Sequence, residues 1–467
     1  MKQYDVAVVG AGSGGLVAAL TAQRRGARVA MLEKNKVGGE CTHSGCVPSK
    51  TMISSARLYH ALGQASRHGL PGVDAAAGFD FGRVMAHVDS VVQGIYANEQ
   101  PAHFQDLGID VYVHPSGAQF LDSRRIRIGD DVIEADFSVI STGSAPRMIA
   151  HEGSEMIQAL TNENFWALRE QPRSVVFLGG GVISAELGQV LARFGTQVTI
   201  IDRNARILKA TDEEVGALAT ELLQREGIQI LTNAEVTTCQ QLAPGRIKIN
   251  LAQAGEPREL YAENIFAALG RVPNIEGLNL ERAGVTYTDR GIKTNPYLQT
   301  SAANIYACGD VTSPAKFTHM ASYQAEICIE NILGGNHVLN DLSLVPWAIF
   351  TEPEIAHVGL TEAEARAKLG TVRVSRVAAG SVDRFITESA TTGFLKVVLD
   401  ANDMILGADA IGAHAGEWIQ FFTLALRARL PIQSIAETIF VYPTFSEIVK
   451  KSATRYLRAR QADGTKA

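Results

Sequence analysis

Cysteine is scarce: the 467 residues hold five. A chain so poor in thiols is not a disulfide scaffold. It fits a reducing compartment, where two cysteines lying close together point to catalysis or metal binding rather than to structure. No apolar run is long enough to cross a bilayer. The start, Met1-Lys2-Gln3 followed at once by "YDVAVVG", has neither the charged lead nor the apolar core of a secretory leader. A cytoplasmic protein without a membrane partner is expected. Positive charge is not in excess; the net charge of -6 argues against a nucleic-acid surface. What is plentiful is glycine, at 43 residues, which implies many tight turns or close backbone approaches. A hydrophobic content of 46% reads as ordinary globular protein. The length suggests about three domains.

The clearest organisation is a repeat. Residues 4–9, "YDVAVV", predict a strand; "GAGSGG" follows at 10–15, then a helical pattern to about Arg25 and a strand over 28–33. Gly10, Gly12 and Gly15 fit G-x-G-x-x-G, and the unit closes on Glu33. The same plan returns with "SVVFL" at 174–178, "GGGVIS" at 179–184, a helix to about Phe194 and "QVTIID" at 197–202, closing on Asp202. Gly10 to Glu33 and Gly179 to Asp202 are both 23 residues apart. A glycine-rich turn alone is weak evidence. Here each copy follows a strand, opens a helix and ends on an acid, which is the context a dinucleotide needs. The glycines let the backbone approach a pyrophosphate at the helix N-terminus, and the acid bonds ribose hydroxyls. Two copies, with Gly179 and Gly181 in the second, imply two dinucleotides. Ser184 replaces the third glycine of the second copy by another small residue.

Between the copies, a helical region over about 81–107 interrupted by Pro101 and a β-rich stretch from about 109 to 140 are expected. "STGSAP" at 141–146 reads as a crossover between domains, and "GRVPN" at 270–274 as the crossover back. A strand-rich segment spans about 228–268. After "NIYACGD" at 304–310 comes a helix to about Leu333. The chain then alternates strands and helices and ends in a basic tail, "RYLRARQADGTKA", expected to fray.

Cys41 and Cys46 lie in "GGECTHSGCVPSK", directly after the first acid. A zinc site would prefer C-x-x-C and further ligands, so no metal site is read here. Inert thiols would sit in apolar surroundings, whereas this turn is polar and glycine-rich. A redox-active dithiol needs two thiols within bridging reach and a lowered pKa for one of them. Cys46 is placed at the start of a helix, whose N-terminus stabilises a thiolate, and Lys50 is one turn on along the same face.

These segments resemble the pyridine nucleotide–disulfide oxidoreductases, the group of dihydrolipoamide dehydrogenase, glutathione reductase and mercuric reductase. "GGECTHSGCVPSK" is similar to that family's active-site signature. "STGSAP", "GGGVISAELG", "ALGRVPN", "NIYACGD", "IFTEPEIAHVGLTE" and "YPTFSE" look like its other landmarks, in order along nearly the whole chain. The resemblance implies an α/β fold of two Rossmann-like domains plus a C-terminal α+β dimerisation domain. The expected limits are 1–147 with 271–338 for FAD, 148–270 for NAD(P) and 339–467 for the interface of a homodimer. It implies FAD, and NAD with NADP as the alternative. Cys46 would face the flavin as the charge-transfer thiolate and Cys41 would exchange with substrate. Glu186 would pair with Lys50 beside nicotinamide and flavin, although the two alone read as surface helix charges. Asp310, with Gly309 before it, would bond the flavin's ribitol region. Thr142, Gly143, Gly270, Arg271 and Arg203 complete the implied cofactor contacts. Cys308 is read as a packing residue, His43 as solvated, and His319 as a weak candidate for a flavin neighbour.

Two departures stand out. Glu40 precedes Cys41 where the signature commonly has threonine; like-charge repulsion should raise the Cys41 pKa and bias the thiolate to Cys46. Tyr442 stands where disulfide-using members carry the histidine of His-Pro-Thr-x-x-Glu, with Glu447 retained. A phenol titrates near 10, a histidine near 6.5. Mercuric reductases share the tyrosine, but this chain has no cysteine pair near its C-terminus and no N-terminal Cys-x-x-Cys. The sequence therefore implies a flavoenzyme acting on a lipoyl-like small-molecule or protein-bound dithiol or disulfide. The alternatives are reduction of a soft metal ion, or a flavoprotein subunit or redox sensor that works by partner binding.

Overall fold

The computed structural model describes residues 1–72, 79–312, 316–462 and 464. The first expected unit forms as a strand (Lys2–Val9), a helix (Ser13–Arg24) and a strand (Val29–Glu33). Lys2–Val9 is buried on both faces from Val6 onward, as a central parallel strand requires. It pairs in parallel with Val29–Glu33 on one side and with Asp131–Ile140 on the other. Ile109–Val113 extends the first edge, and the hairpin strands Ala118–Phe120 and Arg125–Ile128 extend the other. A short strand from far along the chain, Ile305–Ala307, pairs with the end of Asp131–Ile140. The "NIYACGD" segment is thereby carried back to the first sheet.

The second unit repeats the layout in four parallel strands: Gln229–Leu231, Gln197–Ile201, Ser174–Leu178 and Asn264–Ala267. An antiparallel three-stranded sheet over Ala234–Ala262 lies beside it. The two crossovers find each other: Ser144–Pro146 pairs antiparallel with Arg271–Pro273. The C-terminal part is a five-stranded antiparallel sheet in the order Trp347–Ile349, Glu354–Gly359, Ile405–Gly412, Phe394–Leu399, Arg373–Ala378. This matches the expected fold class.

One core positions the candidate site. The helix Cys46–Gly63 buries Met52, Ile53 and Ala56, a stripe at helical spacing. Their partners come from the helix Phe81–Tyr96 and from the second unit's helix, Val182–Arg193, which contributes Ala185, Leu187, Val190 and Leu191. The helix bearing the cysteine is thus packed on the helix that opens the second glycine turn.

The expected fraying of the tail is wrong up to Ala462. Glu447–Ala462 is one helix, with Ile448, Val449, Ser452, Ala453 and Tyr456 buried along one face. That apolar stripe outweighs the basic composition. Residues 463 and 465–467 lie outside the described residues.

The second nucleotide unit meets the C-terminal sheet through a buried cation. Lys396 is 2% exposed. Its Nζ reaches both Asp212 oxygens at 3.0 Å, Glu362 at 3.1 Å and Glu214 at 2.5 Å. Asp212 also caps the helix Glu213–Arg225 through Glu214 N. Lys396→Met should strand the buried Asp212 charge and cost about 3–5 kcal/mol in urea denaturation, the usual penalty for breaking a buried pair. A loss under about 1 kcal/mol would show that solvent reaches Asp212 once the lysine is gone.

Candidate active site

The two glycine turns are built alike. Gly10 has φ +99°, and a Cβ there would lie 2.6 Å from Ser141 O; Gly179 has φ +101° and is pressed on Ala268 O in the same way. Both positions therefore need glycine. Gly15 packs on Gly10 O, whereas Ser184 at the equivalent place donates its hydroxyl to Gly179 O. The middle positions differ in kind. A Cβ on Gly12 would approach only Gly39 Cα, at 3.8 Å, and a Cβ on Gly181 would meet nothing within 4 Å. Bare backbone therefore faces open space at the start of both helices, as a pyrophosphate would require. The closing acids also correspond: Glu33 accepts from Ala11 N and Asn35 N at 2.7 Å, and Asp202 from Gly180 N and Asn204 N at 2.7 Å.

Gly143 (φ +69°) and Gly270 (φ +97°) likewise have no atom where a Cβ would point. Thr142 and Asn274 lock the crossovers, Thr142 Oγ1 donating to Asn274 O at 2.7 Å and Asn274 Nδ2 to Thr142 O at 2.9 Å. These residues fit two bound dinucleotides. Arg203 is exposed beside Asp202. Arg206 is committed to its own loop, donating to the carbonyls of Leu208, Lys209 and Thr211.

The cysteine segment is more helical than the expected turn. Gly39–His43 forms one short helix carrying Cys41, and Cys46 opens the next, Cys46–Gly63. Both are free thiols; Cys46 is exposed and Cys41 partly so. The hydrogen bond from Cys41 is the main reason the Cys46 thiol falls to about 6; the Thr318 hydroxyl at 3.4 Å and the Lys50 charge add to it, against burial and Glu186. Cys41 is pushed up, first by that same hydrogen bond, then by burial and by the charge on Cys46.

The expected bias toward Cys46 therefore holds, but its cause does not. Glu40 is not what chiefly raises Cys41; its carboxylate turns to Arg271 and, at 3.0 Å, to Asn162 Nδ2. Sequence adjacency suggested repulsion, and the short helix points the side chain elsewhere.

Lys50 Nζ sits 2.7 Å from Glu186 Oε2 and lies over the Phe350 ring at 4.5 Å. Glu186 is 4% exposed and also accepts from Phe350 N at 2.8 Å. The surface-charge reading of this pair is wrong, because the two helices pack face to face. Asp310, next to Gly309, accepts from Ser144 Oγ at 2.6 Å and lies 3.8 Å from Arg271 Nε. Arg271, 13% exposed, also holds Ser144 O at 2.6 Å and Asn162 Oδ1 at 3.4 Å.

His43 is half-buried rather than fully solvated: it bonds Val37 O at 2.8 Å and packs edge-on against Tyr96. His319 bonds Pro346 O at 2.7 Å and stacks on Phe317. Cys308 is fully buried, as a packing residue should be. Thr318, Asn162 and Trp166 escaped the sequence reading. Trp166 Nε1 ties Ser44 O to Asn162 O, but its segment is irregular and shows no periodic signal.

Tyr442 lies on the C-terminal part, 67% exposed next to Val441 and Ile439, which are 76% and 92% exposed. Its Oη donates to Asp383 at 2.9 Å, and that bond holds the phenol above its ordinary pKa. Glu447 does not touch the ring; it accepts from Thr444 N at 3.2 Å.

Known proteins give the same picture. The sequence profile for pyridine nucleotide-disulphide oxidoreductases matches residues 4–325, and the profile for that family's dimerisation domain matches 345–453. A mercuric reductase of Staphylococcus aureus is 33% identical over 97% of this chain and 82% of its own length. A dihydrolipoyl dehydrogenase of Bacillus subtilis is 33% identical over 97% of each. The Cu(II) complex of the HOCl-induced flavoprotein disulfide reductase RclA from Escherichia coli superposes with a TM-score of 0.86 at 25% identity, covering 97% of this chain and all of that one. The family uses FAD and NAD(P)H, and its dimerisation domain implies a homodimer. No helix among the described residues is long and apolar enough to cross a membrane. With twin nucleotide turns, a split-pKa thiol pair and a full-length match, the chain belongs to the pyridine nucleotide-disulphide oxidoreductase family.

Proposed function

We propose that this flavoprotein disulfide reductase is an NADH-linked enzyme acting on a lipoyl-like disulfide or dithiol through Cys41 and Cys46. FAD, when bound, would take one hydride from the nicotinamide and pass its electron pair to the disulfide. The observation that carries the reading is the split between the two thiols. Cys46, at a helix start with Lys50 and Thr318 near it, is the thiolate. Cys41, held protonated, is the thiol left to exchange with substrate. Glu33 and Asp310 would hold FAD in the first unit, and Asp202 the ribose of the nicotinamide cofactor in the second. Lys50 and Glu186 would stand where the two cofactors meet.

A second reading, reduction of a soft metal ion, is favoured by Tyr442. Its proton is tied to Asp383, so even less of it is ionised at neutral pH than of a free phenol. The deciding experiment is steady-state NADH oxidation with lipoamide, oxidised glutathione, Hg(II), Cu(II) and quinones, with Cys41→Ser as control. Lipoamide turnover that depends on Cys41 supports the first reading; turnover with Hg(II) or Cu(II) alone replaces it.

The thiol split fixes a pH dependence. Cys46 is charged above about 6, so the long-wavelength absorbance of a thiolate beside the flavin in two-electron-reduced enzyme should be full at pH 8 and fade as pH falls through about 6. It should vanish in Cys46→Ser and survive in Cys41→Ser; the opposite pattern reverses the assignment.

The Asp202 carboxylate accepts from Gly180 N at the second glycine turn, where it would meet the ribose, and Arg206 is spent on its own loop. Like-charge repulsion of a 2′-phosphate should give NADH a kcat/KM about tenfold or more above that of NADPH. A higher value for NADPH overturns the cofactor assignment.

Tyr442→His supplies a group titrating near neutrality. If a lipoyl-like dithiol is the substrate, dihydrolipoamide turnover should rise, by up to about 10²-fold, the lower end of general acid–base catalysis. If a metal ion is the substrate, that turnover stays low and metal reduction falls. No change with either acceptor in Tyr442→His or Tyr442→Phe would leave Tyr442 a packing residue of the dimer face.

A further inference from the structure

Glu40 sits one residue before Cys41, yet its carboxylate is built into a different cluster. Oε2 accepts from Arg271 Nη2, and Oε1 from Asn162 Nδ2 at 3.0 Å. Arg271 is not free to serve Glu40 alone. It also donates to Ser144 Oγ at 2.7 Å, to Ser144 O at 2.6 Å and to Asn162 Oδ1 at 3.4 Å, and it lies 3.8 Å from Asp310. The other cation, Lys316, bonds Asp310 O at 3.3 Å and is held below its ordinary pKa by burial.

The charges do not balance once the cysteine pair is reduced. Glu40, Asp310, Glu186 and the Cys46 thiolate, four anions, face three cations, Arg271, Lys316 and the Lys50 that lies beside Cys46. Glu163 adds a further negative charge from an exposed position. Burial is the main force on the Glu40 carboxyl, although its side chain is 36% exposed; with Asp310, Glu163 and, least of these, Cys46, it prevails over Arg271 and lifts the group to about 7. In the disulfide state the Cys46 charge is absent, and the cluster carries one negative charge fewer.

We propose that Glu40 is a proton-accepting positioning residue of the cysteine pair, clamped by Arg271 and Asn162, which binds a proton when the disulfide is reduced and releases it on reoxidation. The proposal rests on reading Cys41 and Cys46 as the redox pair. Reduction breaks the S–S bond with two electrons from the reduced nicotinamide. One proton goes to Cys41, which becomes a thiol; Cys46 remains a thiolate. The new negative charge draws a second proton from solvent onto Glu40. A threonine at this position would have no such site to load.

The test is the pH dependence of the dithiol–disulfide reduction potential in the full-length holoenzyme, measured against thiol redox buffers. One proton per two electrons gives a slope of about 30 mV per pH unit, and two give about 59 mV. Wild type should run steeper than 30 mV just below pH 7. Glu40→Gln should fall back toward 30 mV in that window, and Glu40→Asp, which keeps a titratable group, should stay steep. Reduced-minus-oxidised infrared spectra of wild type at pH 6.8, a value chosen just below the Glu40 midpoint of about 7, give a second readout that needs no variant. Reduction should bring up a protonated-carboxyl stretch that shifts in D2O. No such band, or an unchanged slope in Glu40→Gln, overturns the role of Glu40. Failure of any variant to reveal two thiols on reduction would sink the redox reading itself, which is a different result from a redox-active pair with a flat Glu40 response.

Discussion

The structure turns on one contact, the pair Lys50–Glu186 held between the cysteine helix and the first helix of the second nucleotide unit. Glu186 is nearly out of water, and taking a carboxylate there costs several kcal/mol before any partner is counted. The Lys50 ammonium at 2.7 Å, the Phe350 N–H and the face of the Phe350 ring offset that cost. A well-packed apolar pair would stabilise the same helix contact at least as well. The ion pair is therefore weak as a device for stability and strong as a device for place. It fixes Lys50 one turn past Cys46, it joins the two nucleotide units, and through Phe350 it anchors the start of the C-terminal part.

The cysteine asymmetry follows from that placement. Two thiols of one type, five residues apart, would titrate together near 9 in a flexible chain. Here one begins a helix, near a lysine and a threonine hydroxyl, and accepts the other's proton in a hydrogen bond. A thiol moved to about 6 is about nine-tenths thiolate at pH 7, against about one part in a hundred when unshifted. The partner moves the opposite way because it donates that bond. The proposed division of labour between the two sulfurs would thus follow from helix register, with Cys41 inside one short helix and Cys46 at the head of the next.

Much of this was legible in the sequence, and the physical reason differs from place to place. The two nucleotide units showed because strand, turn, helix and acid recur at fixed spacing, and the crossovers showed because short polar-glycine segments interrupt two periodic patterns. The return of Ile305–Ala307 to the first sheet was visible only through the resemblance, since three apolar residues carry no address of their own. The Glu40–Arg271–Asn162 cluster was not legible. Its members lie 122 and 231 residues from Glu40, one in a turn and one on a three-residue strand, and adjacency to Cys41 suggested a contact that the backbone does not make. The last helix was misjudged because lysines and arginines dominate its composition, whereas burial of Ile448, Val449, Ala453 and Tyr456 decides its state.

The segment "YPTFSE" shows how a motif divides into frame and chemistry. Thr444 and Glu447 are spaced as in a capping box, and Glu447 does reach back to Thr444 N at the start of the final helix. That half of the motif is satisfied by helix geometry and would persist whatever residue stood at 442. Any proton chemistry of the motif would fall to residue 442, and the phenol there is exposed, tied to Asp383 and raised in pKa. Keeping Glu447 therefore says nothing about keeping the base. A protein with this frame must manage protons at its sulfurs from elsewhere, or pass its electrons to an acceptor that needs none. The Glu40 cluster, with more negative charge than its cations balance once the cysteines are reduced, is where the first of those options has a physical basis.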